Sequence, residues 1–280
     1  MNRTFMRWPN FKRKAVTLSY DDGVSADKRL IPILDKNGLK CTFNINSGMF
    51  AQEEGAHRMT KKTAYDLYAN SPHEVAVHGV RHYSLASIPT NMAMSDVLND
   101  RIALEEMFGK LVQGMAYANG SYNDEVVEIL QKAGIKYART VISTEKFDVP
   151  TDWLRLPATC HHNNRRLMEL AKNFVEAPND LHFFKLPAML FYLWGHSYEF
   201  DNDNNWNVIE EFAEYMGGRE DIWYVTNGEV YDYVKAFDDL QYSGNGKFIY
   251  NPSALDVYVC FFGKEYLIPA GETIMTHMGG

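Results

Sequence analysis

The sequence predicts an α/β protein: repeated βα units wound into a distorted (β/α) barrel of about seven units, with a short C-terminal β appendage. Two observations carry this expectation. Apolar stretches of strand length alternate with amphipathic stretches of helix length through most of the 280 residues, which is the pattern of strands joined by crossover helices. The alternation supplies only about six or seven strands over about 230 residues, short of a regular eight-unit barrel. Beyond Asp239 the pattern changes. Ser243-Gly244-Asn245-Gly246 is a turn cluster, and Leu255, Val257, Val259 and Phe261 then alternate up to a turn at Gly263-Lys264. The expected organisation is a barrel over residues 1–240 and a small β appendage over 241–280.

Element by element, Ala15–Tyr20 reads as a strand and Ala26–Lys36 as a helix stopped by Asn37-Gly38. Thr42–Asn46 is the second strand, Lys61–Ala69 a helix and Glu74–His78 the third strand. Met94–Met107 is helical, Gln113–Tyr117 a strand, Glu125–Lys132 a helix closed by Ala133-Gly134, and Lys136–Val141 a strand. Leu167–Phe174, Met189–Gly195, Val208–Met216, Trp223–Thr226 and Val230–Phe237 continue as helix, strand, helix, strand and helix.

Composition narrows the function classes. With 46% apolar and 23% charged residues the chain has ordinary globular usage. The balance of 28 Lys and Arg against 36 Asp and Glu gives a net charge of −8, and no basic run forms a phosphate-neutralising stripe. Nucleic acid is therefore excluded as the expected partner. Phe11-Lys12-Arg13-Lys14 and Asn163-Asn164-Arg165-Arg166 read as solvated surface. No run approaches a membrane span, and no apolar leader segment is visible near the start. The chain reads as cytoplasmic as written, and as secreted or periplasmic if a leader has been removed. Cys41, Cys160 and Cys260 are widely spaced and read as buried free thiols.

The chemistry-bearing residues stand at predicted strand ends. Leu18-Ser19-Tyr20-Asp21-Asp22-Gly23 sets two adjacent carboxylates where a strand gives way to a loop. Neighbours on a strand face opposite sides, but a turn can bring both into one cleft, where one carboxylate binds a cation and the other serves as a base. Val77-His78-Gly79-Val80-Arg81-His82 sets two imidazoles four residues apart, a spacing that suits two nitrogen ligands on one divalent ion. Two His and one Asp leave a coordination position open for water, as in a hydrolytic metal site.

Together, Tyr20-Asp21-Asp22-Gly23 and His78-x-x-x-His82, with His73-Glu74 upstream, resemble the first two motifs of the polysaccharide deacetylase family, the NodB-homology or family-four carbohydrate esterases. The resemblance covers roughly residues 12–235. It implies a distorted (β/α) barrel, a zinc-like divalent ion for which cobalt or nickel would also serve, and hydrolysis of acetyl groups on amino sugars. It also implies roles: Asp21 as general base, with Asp22, His78 and His82 as metal ligands.

The later motifs depart from the family pattern. Met115-Ala116-Tyr117-Ala118-Asn119-Gly120-Ser121-Tyr122 lacks the third-motif arginine, so Arg81, Arg139 or Arg155 takes its place or Asp21 is tuned differently. Asp148-Val149-Pro150-Thr151-Asp152-Trp153 resembles the fourth motif with altered spacing, and Trp153 would wall the acetyl pocket. Leu193-Trp194-Gly195-His196 resembles the fifth, which implies His196 as general acid beside Trp194. Substrate contacts are expected from Trp153, Asn119, Trp194 and Arg155, with a backbone N–H near Asn119-Gly120 facing the oxyanion. His161-His162 reads as loop surface. Asp201–Asn205 reads as a polar loop and helix cap, with Trp206 beside it as a sugar contact.

The expected activity is metal-dependent removal of N-acetyl or O-acetyl groups from a carbohydrate. The rivals are a C–N hydrolase acting on a cyclic imide or ureide, and a carbohydrate-binding relative impaired in catalysis, for which the missing arginine is the motive.

Overall fold

The computed structural model describes residues 4–55, 57–180 and 185–276. At its centre is the strand Lys14–Asp22, whose nine residues are all buried. Its alternation sorts two environments. Val16, Leu18 and Tyr20 enter the main apolar cluster, together with Leu30, Ile31 and Leu34 of the helix Asp27–Lys36. Thr17, Ser19 and Asp21 face polar partners: Thr17 Oγ1 meets Asn227 Oδ1 at 2.8 Å, and Ser19 Oγ accepts from Asn44 Nδ2 at 2.8 Å. Buried polar groups need such partners, so a row of them inside the sheet fixes register as well as satisfying its members.

The central strand pairs in parallel with Cys41–Ile45 on one side, Leu18 opposite Cys41, and with Met189–Gly195 on the other, Lys14 opposite Met189. From Cys41–Ile45 the sheet continues through Glu74–Val77, Gly114–Ala116 and Tyr137–Ser143 to Leu156–Ala158, every pairing parallel. Leu156–Ala158 runs on into Cys160–His161, which pairs with Met189–Gly195. Thr144 N donates to Ala158 O at 3.0 Å and Thr159 N to Tyr192 O at 2.8 Å, so residues 156–161 bond to both ends of the sheet and curve it into a distorted barrel. Ile222–Tyr224 pairs with Lys14–Val16, beside the lower half of the central strand. Sequence periodicity shows no strand at residues 156–161. The piece is short and mixed in polarity, and only its two-sided pairing makes it extended.

Helices cover the outside. Thr60 accepts from Thr63 N at the start of Lys61–Tyr68, Asn123 accepts from Val126 N before Asp124–Lys132, and Thr226 with Glu229 forms a reciprocal cap before Asn227–Asp238. The helix Thr90–Phe108 ends on Gly109 at φ 65°.

Arg13 and Lys14, expected at the solvated surface, are instead buried. Lys14 Nζ donates to Val175 O at 2.6 Å and pairs with Asp221 at 3.2 Å, while Arg13 Nε donates to Pro187 O at 2.8 Å. Their long stems cross the base of the barrel, and their charged ends reach helix-end and loop carbonyls. The three cysteines are buried and free.

Two small sheets lie at the C-terminal end. Thr4–Arg7 pairs antiparallel with Val257–Phe261, which turns through Phe262 and Gly263 (φ 48° and 78°) into Lys264–Ile268. Gln241–Tyr242, Phe248–Tyr250 and Thr273–Met275 form the other. Ile249, Val257, Val259, Phe261 and Ile268 close a separate apolar cluster with Ala236 and Leu240.

Candidate active site

The strand ends predicted to carry chemistry converge. Asp21 and Asp22 close the central strand, His78 follows Glu74–Val77, and His196 follows Met189–Gly195. All lie at C-terminal ends of parallel strands, where βα loops build sites. Asp21 keeps the strand's alternation and points at the polar interior. Asp22 has φ 80°, a left-handed conformation unusual for aspartate, and this breaks the alternation so that both carboxylates face one cleft.

Asp22, His78 and His82 present ligand atoms that all lie within 4.8 Å of one another. His82 Nε2 is 3.5 Å and His78 Nε2 3.8 Å from Asp22 Oδ1. His78 Nδ1 meets Ala116 O at 2.8 Å, so it carries the proton and leaves the Nε2 lone pair facing Asp22. Burial lowers the His78 imidazole below its usual range despite the carboxylates of Asp21 and Asp22, so the ring is neutral. His78 Nε2 and Asp22 Oδ1 are buried without a hydrogen-bond partner, which is costly for polar atoms unless an ion or a water joins them. The donor set, two imidazoles and a carboxylate, fits a divalent ion such as zinc.

The His-x-x-x-His segment is an irregular bend after the strand Glu74–Val77. Gly79 (φ 82°) and His82 (φ 56°) both adopt the left-handed region. A Cβ at Gly79 would stand 2.4 Å from Asp96 Oδ2, so only glycine fits. Asp96 Oδ1 accepts from Arg81 N at 3.1 Å and Asp100 Oδ2 from His78 N at 3.0 Å, fixing the bend from the helix Thr90–Phe108.

Asp21 is 3% exposed, and two neighbours hold it. Asn44 Nδ2 donates to Oδ1 at 2.8 Å, and Arg139 Nη2 donates to Oδ2. Burial alone would raise its carboxyl, but Arg139, His78 and His196 outweigh burial and lower it to about 2. Of the three arginines weighed from the sequence, Arg139 meets Asp21. Arg81 sits on the His bend, and Arg155 pairs with Asp124 at 2.6 Å and Asp152 at 3.1 Å.

His196 Nε2 stands 3.8 Å from Asp21 Oδ2, and its Nδ1 3.4 Å from Glu199 Oε2. Burial alone would lower the imidazole. The carboxylates of Glu199 and Asp21 overcome this and raise it. Trp194 packs edge-on to His196 with ring centroids 5.8 Å apart, and the Arg139 guanidinium lies 4.2 Å above the Trp194 ring.

The other expected substrate contacts lie elsewhere. Trp153 packs edge-on against Tyr231 at 5.1 Å and lines a cavity of about 410 Å³ with Thr4, Met6, Val234 and Phe237. Arg155 lines a second cavity of about 410 Å³ with Thr144, Lys146 and Tyr192. Asn119 (φ 56°) follows Gly114–Ala116 and donates from Nδ2 to Ser84 Oγ at 3.1 Å, while Gly120 N is committed to Tyr117 O. Trp206 is buried, with Arg29 stacked 4.4 Å above its ring and Nε1 donating to Asp201 Oδ1 at 2.8 Å.

Sequence reasoning missed Asn44, Glu199 and the histidine pair. His161-His162 is not loop surface. His162 is buried, and both rings turn toward Glu199, which belongs to the helix Ser197–Asn202. The available signal was His196-x-x-Glu199, a helix-start spacing in which Glu199 Oε2 accepts from His196 N at 3.4 Å.

Known proteins resemble the chain in sequence and in fold. The polysaccharide deacetylase profile matches residues 9–138, the stretch that supplies Asp21, Asp22, His78 and His82. That match ends at residue 138 of 280, and over this stretch the chain is similar to the polysaccharide deacetylases. The Bacillus subtilis protein YxkH, whose name assigns it provisionally to the polysaccharide deacetylases, is 22% identical over 130 residues, 45% of this chain and 44% of that protein's length. Two solved structures share the fold. A Mycobacterium smegmatis protein, described in the same provisional terms, superposes with a TM-score of 0.58 at 16% identity, over 85% of this chain and 96% of its own. A family-four carbohydrate esterase from Streptomyces lividans, solved with acetate, gives 0.52 at 16% identity, over 76% of this chain and 92% of its own. The chain thus shares its distorted α/β barrel fold with these two structures.

Proposed function

We propose that this protein is a metal-dependent deacetylase that hydrolyses acetyl groups from the amino sugars of a carbohydrate. The observation that carries the reading is the convergence of Asp21, Asp22, His78, His82 and His196 on one cleft, with Asp22 Oδ1 and His78 Nε2 buried and facing each other without a hydrogen bond. Asp22, His78 and His82 would hold a divalent cation, which when bound would supply Lewis acidity for the acyl carbonyl and the attacking water. Asp21 takes the proton of that water. Arg139 and Asn44 keep its carboxylate ionised and aimed, each holding one oxygen. The same grip makes Asp21 a weak base, so it can take a proton only from a strongly polarised water, and this is why the reading requires the cation.

His196, whose Nε2 stands 3.8 Å from Asp21 Oδ2, donates a proton through Nε2 to the departing nitrogen. Glu199 behind Nδ1 stabilises the imidazolium this step needs, much as a buried carboxylate orients a catalytic histidine elsewhere. Trp194 and Arg139 wall the His196 side of the cleft and limit water there. Arg139 in the place of the missing third-motif arginine weakens the case for an impaired binding protein, because the base retains its charge partner.

The test is acetate release from N-acetylated amino-sugar oligomers by protein stripped with a chelator and reloaded with zinc, cobalt or nickel. Activity that returns with metal supports the reading. No acetate release from the reloaded protein, or full activity in the stripped one, would overturn it.

A further inference from the structure

The cluster behind His196 contains more than a positioning carboxylate needs. Three imidazoles face one oxygen: His161 Nε2 stands 3.2 Å, His162 Nε2 3.0 Å and His196 Nδ1 3.4 Å from Glu199 Oε2. A carboxylate oxygen has about two lone-pair directions, so it cannot serve three donors well. The misfit is visible, because His162 Nε2 and His196 Nδ1 are buried yet make no well-formed hydrogen bond. His162 is fully buried, its Nδ1 3.3 Å from Tyr20 Oη and its ring stacked on Tyr20, so it cannot turn to water instead. Burial alone would raise the Glu199 carboxyl, but the surrounding imidazoles hold it well below the usual carboxylate range, so it is ionised.

The spacing has a meaning beyond hydrogen bonding. Donors at about 2.0–2.1 Å from a tetrahedral zinc ion lie about 3.3–3.4 Å from one another. The separations of 3.2 and 3.4 Å to Glu199 match this, and the ligand atoms of His161, His196 and Glu199 all lie within 4.8 Å of one another. These three side chains are 20–25% exposed, so an ion could reach them and keep a water. Two nitrogens and one carboxylate oxygen form the same type of donor set as Asp22, His78 and His82.

We propose that His161, His196 and Glu199 form a second, weaker divalent-cation site, and that an ion bound there switches the enzyme off by taking His196 out of proton donation. His196 has two working faces: Nε2 toward Asp21 at 3.8 Å and Nδ1 toward Glu199. A cation on Nδ1 displaces its proton and prevents the imidazolium from forming, so Nε2 has no readily given proton for a departing amine. The site is weaker because the cation must compete with that proton and because its ligands are more exposed than Asp22 and His78. Zinc is the expected ion, and the consequence is inhibition by excess of the metal that activates the enzyme. The cation site stands on geometry alone, whereas the inhibitory effect rests on the deacetylase reading above.

Metal-stripped protein titrated with zinc against a chromogenic chelator separates the two. Two equivalents per chain are expected, a tight one lost in His78→Ala and a weaker one lost in His161→Gln and in Glu199→Gln, with folding of each variant checked by circular dichroism. Cobalt should give a second absorption component that His161→Gln removes. In acetate-release assays the zinc concentration that halves activity should rise at least tenfold in His161→Gln. A single equivalent in the unaltered chain, or a second equivalent that persists in both His161→Gln and Glu199→Gln, overturns the site. Loss of the second equivalent without relief of inhibition overturns the switch. Two binding steps in a protein that releases no acetate would uphold the site and reject the deacetylase reading instead.

Discussion

Arg139 donates through Nη2 to Asp21 Oδ2 across the barrel interior, from the strand Tyr137–Ser143, although three strands stand between the two in the sheet order. Both side chains are essentially buried, at 0% and 3% exposed. Ser19 Oγ accepts from Arg139 Nε at 3.3 Å and Thr140 O from Nη1 at 3.1 Å, while Trp194 covers the guanidinium face. A charge pair buried this completely is stable only because its remaining polar atoms are also satisfied.

Arg139→Gln should therefore damage both fold and activity. Removing one partner of a buried pair typically costs about 3–5 kcal/mol, because the other charge is left uncompensated. The Asp21 carboxyl should move up toward its ordinary range or beyond, so the base becomes protonated under mildly acidic conditions. Urea unfolding and a pH–rate profile check both effects. Arg139→Lys, which keeps the charge, should recover part of the stability, and equal damage from the two substitutions would argue against an electrostatic role.

Asp21 and Asp22 are adjacent but should separate cleanly by substitution. Asp21→Asn turns an N–H toward Asn44 or Arg139 and leaves the Arg139 charge unpaired, so stability should fall, and because the amide cannot accept a proton turnover should fall by about 10²–10⁴ while the folded variant retains its metal. Asp22→Asn should lose metal affinity together with activity. Metal analysis beside initial rates is the measurement, and matching behaviour of the two variants would remove the division of labour.

The strand ends that carry Asp21, Asp22, His78 and His196 were legible because each closes an apolar run of strand length, and the run is what burial in a parallel sheet demands. The alternation of Val257, Val259 and Phe261 was legible because one face of their antiparallel strand is buried, whereas Leu255 lies before the strand and is exposed. Arg139 could be named only as one of three arginines, since its partner lies 118 residues away in sequence and the pairing depends on barrel curvature. Glu199 and His162 were hidden more deeply. Glutamate in a first helical turn and paired histidines after a polar strand are ordinary surface features in one dimension, and only the closing strand at residues 156–161 turns them toward each other. The two chemically active conformations, Asp22 at φ 80° and His82 at φ 56°, have no sequence signal except their neighbours Gly23 and Gly79.

Glu199→Gln should shift the pH dependence rather than simply lower the rate. The carboxylates of Glu199 and Asp21 raise the His196 imidazole against the effect of burial, so removing the Glu199 charge leaves burial less opposed. If His196 is the proton donor, the alkaline limb of the rate profile moves to lower pH, and activity at mildly acidic pH is spared most. A uniform loss at every pH would make Glu199 a packing residue.

Removal of residues 243–280 tests the proposed division into barrel and appendage. The tail's apolar side chains close mainly on one another and on Ala236 and Leu240, not on the main cluster around the central strand. The truncated chain should stay folded and bind metal, but at reduced stability. Thr4–Arg7 loses its partner strand, and Tyr233 Oη, which donates to Arg7 O at 2.6 Å and accepts from Tyr258 N at 3.0 Å, loses the latter. Circular dichroism and a lowered melting temperature are the expected record, and a chain recovered only as aggregate would make the tail part of the barrel's core.

Asp27 should set much of the pH dependence of stability. Its carboxyl is fully buried behind the cleft, accepting from Val24 N at 3.2 Å, Tyr68 Oη at 2.6 Å and Ser197 Oγ at 2.5 Å. Burial pushes it up to about 7 in spite of these donors. The folded protein therefore holds a proton that the unfolded chain, titrating near about 3.9, has already released. Stability from this group is complete below about pH 4 and is lost as pH rises through about 7, a decline of up to about 4 kcal/mol at about 1.4 kcal/mol per pH unit. Asp100, also pushed up to about 7 by burial, leaves a residual slope of the same sign. Asp27→Asn keeps a neutral group of the same shape, so urea unfolding at pH 5 and pH 7.5 should give closer stabilities in the variant than in the unaltered chain. An unchanged difference between the two pH values would mean that Asp27 is already ionised in the folded protein, with its three donors outweighing its burial.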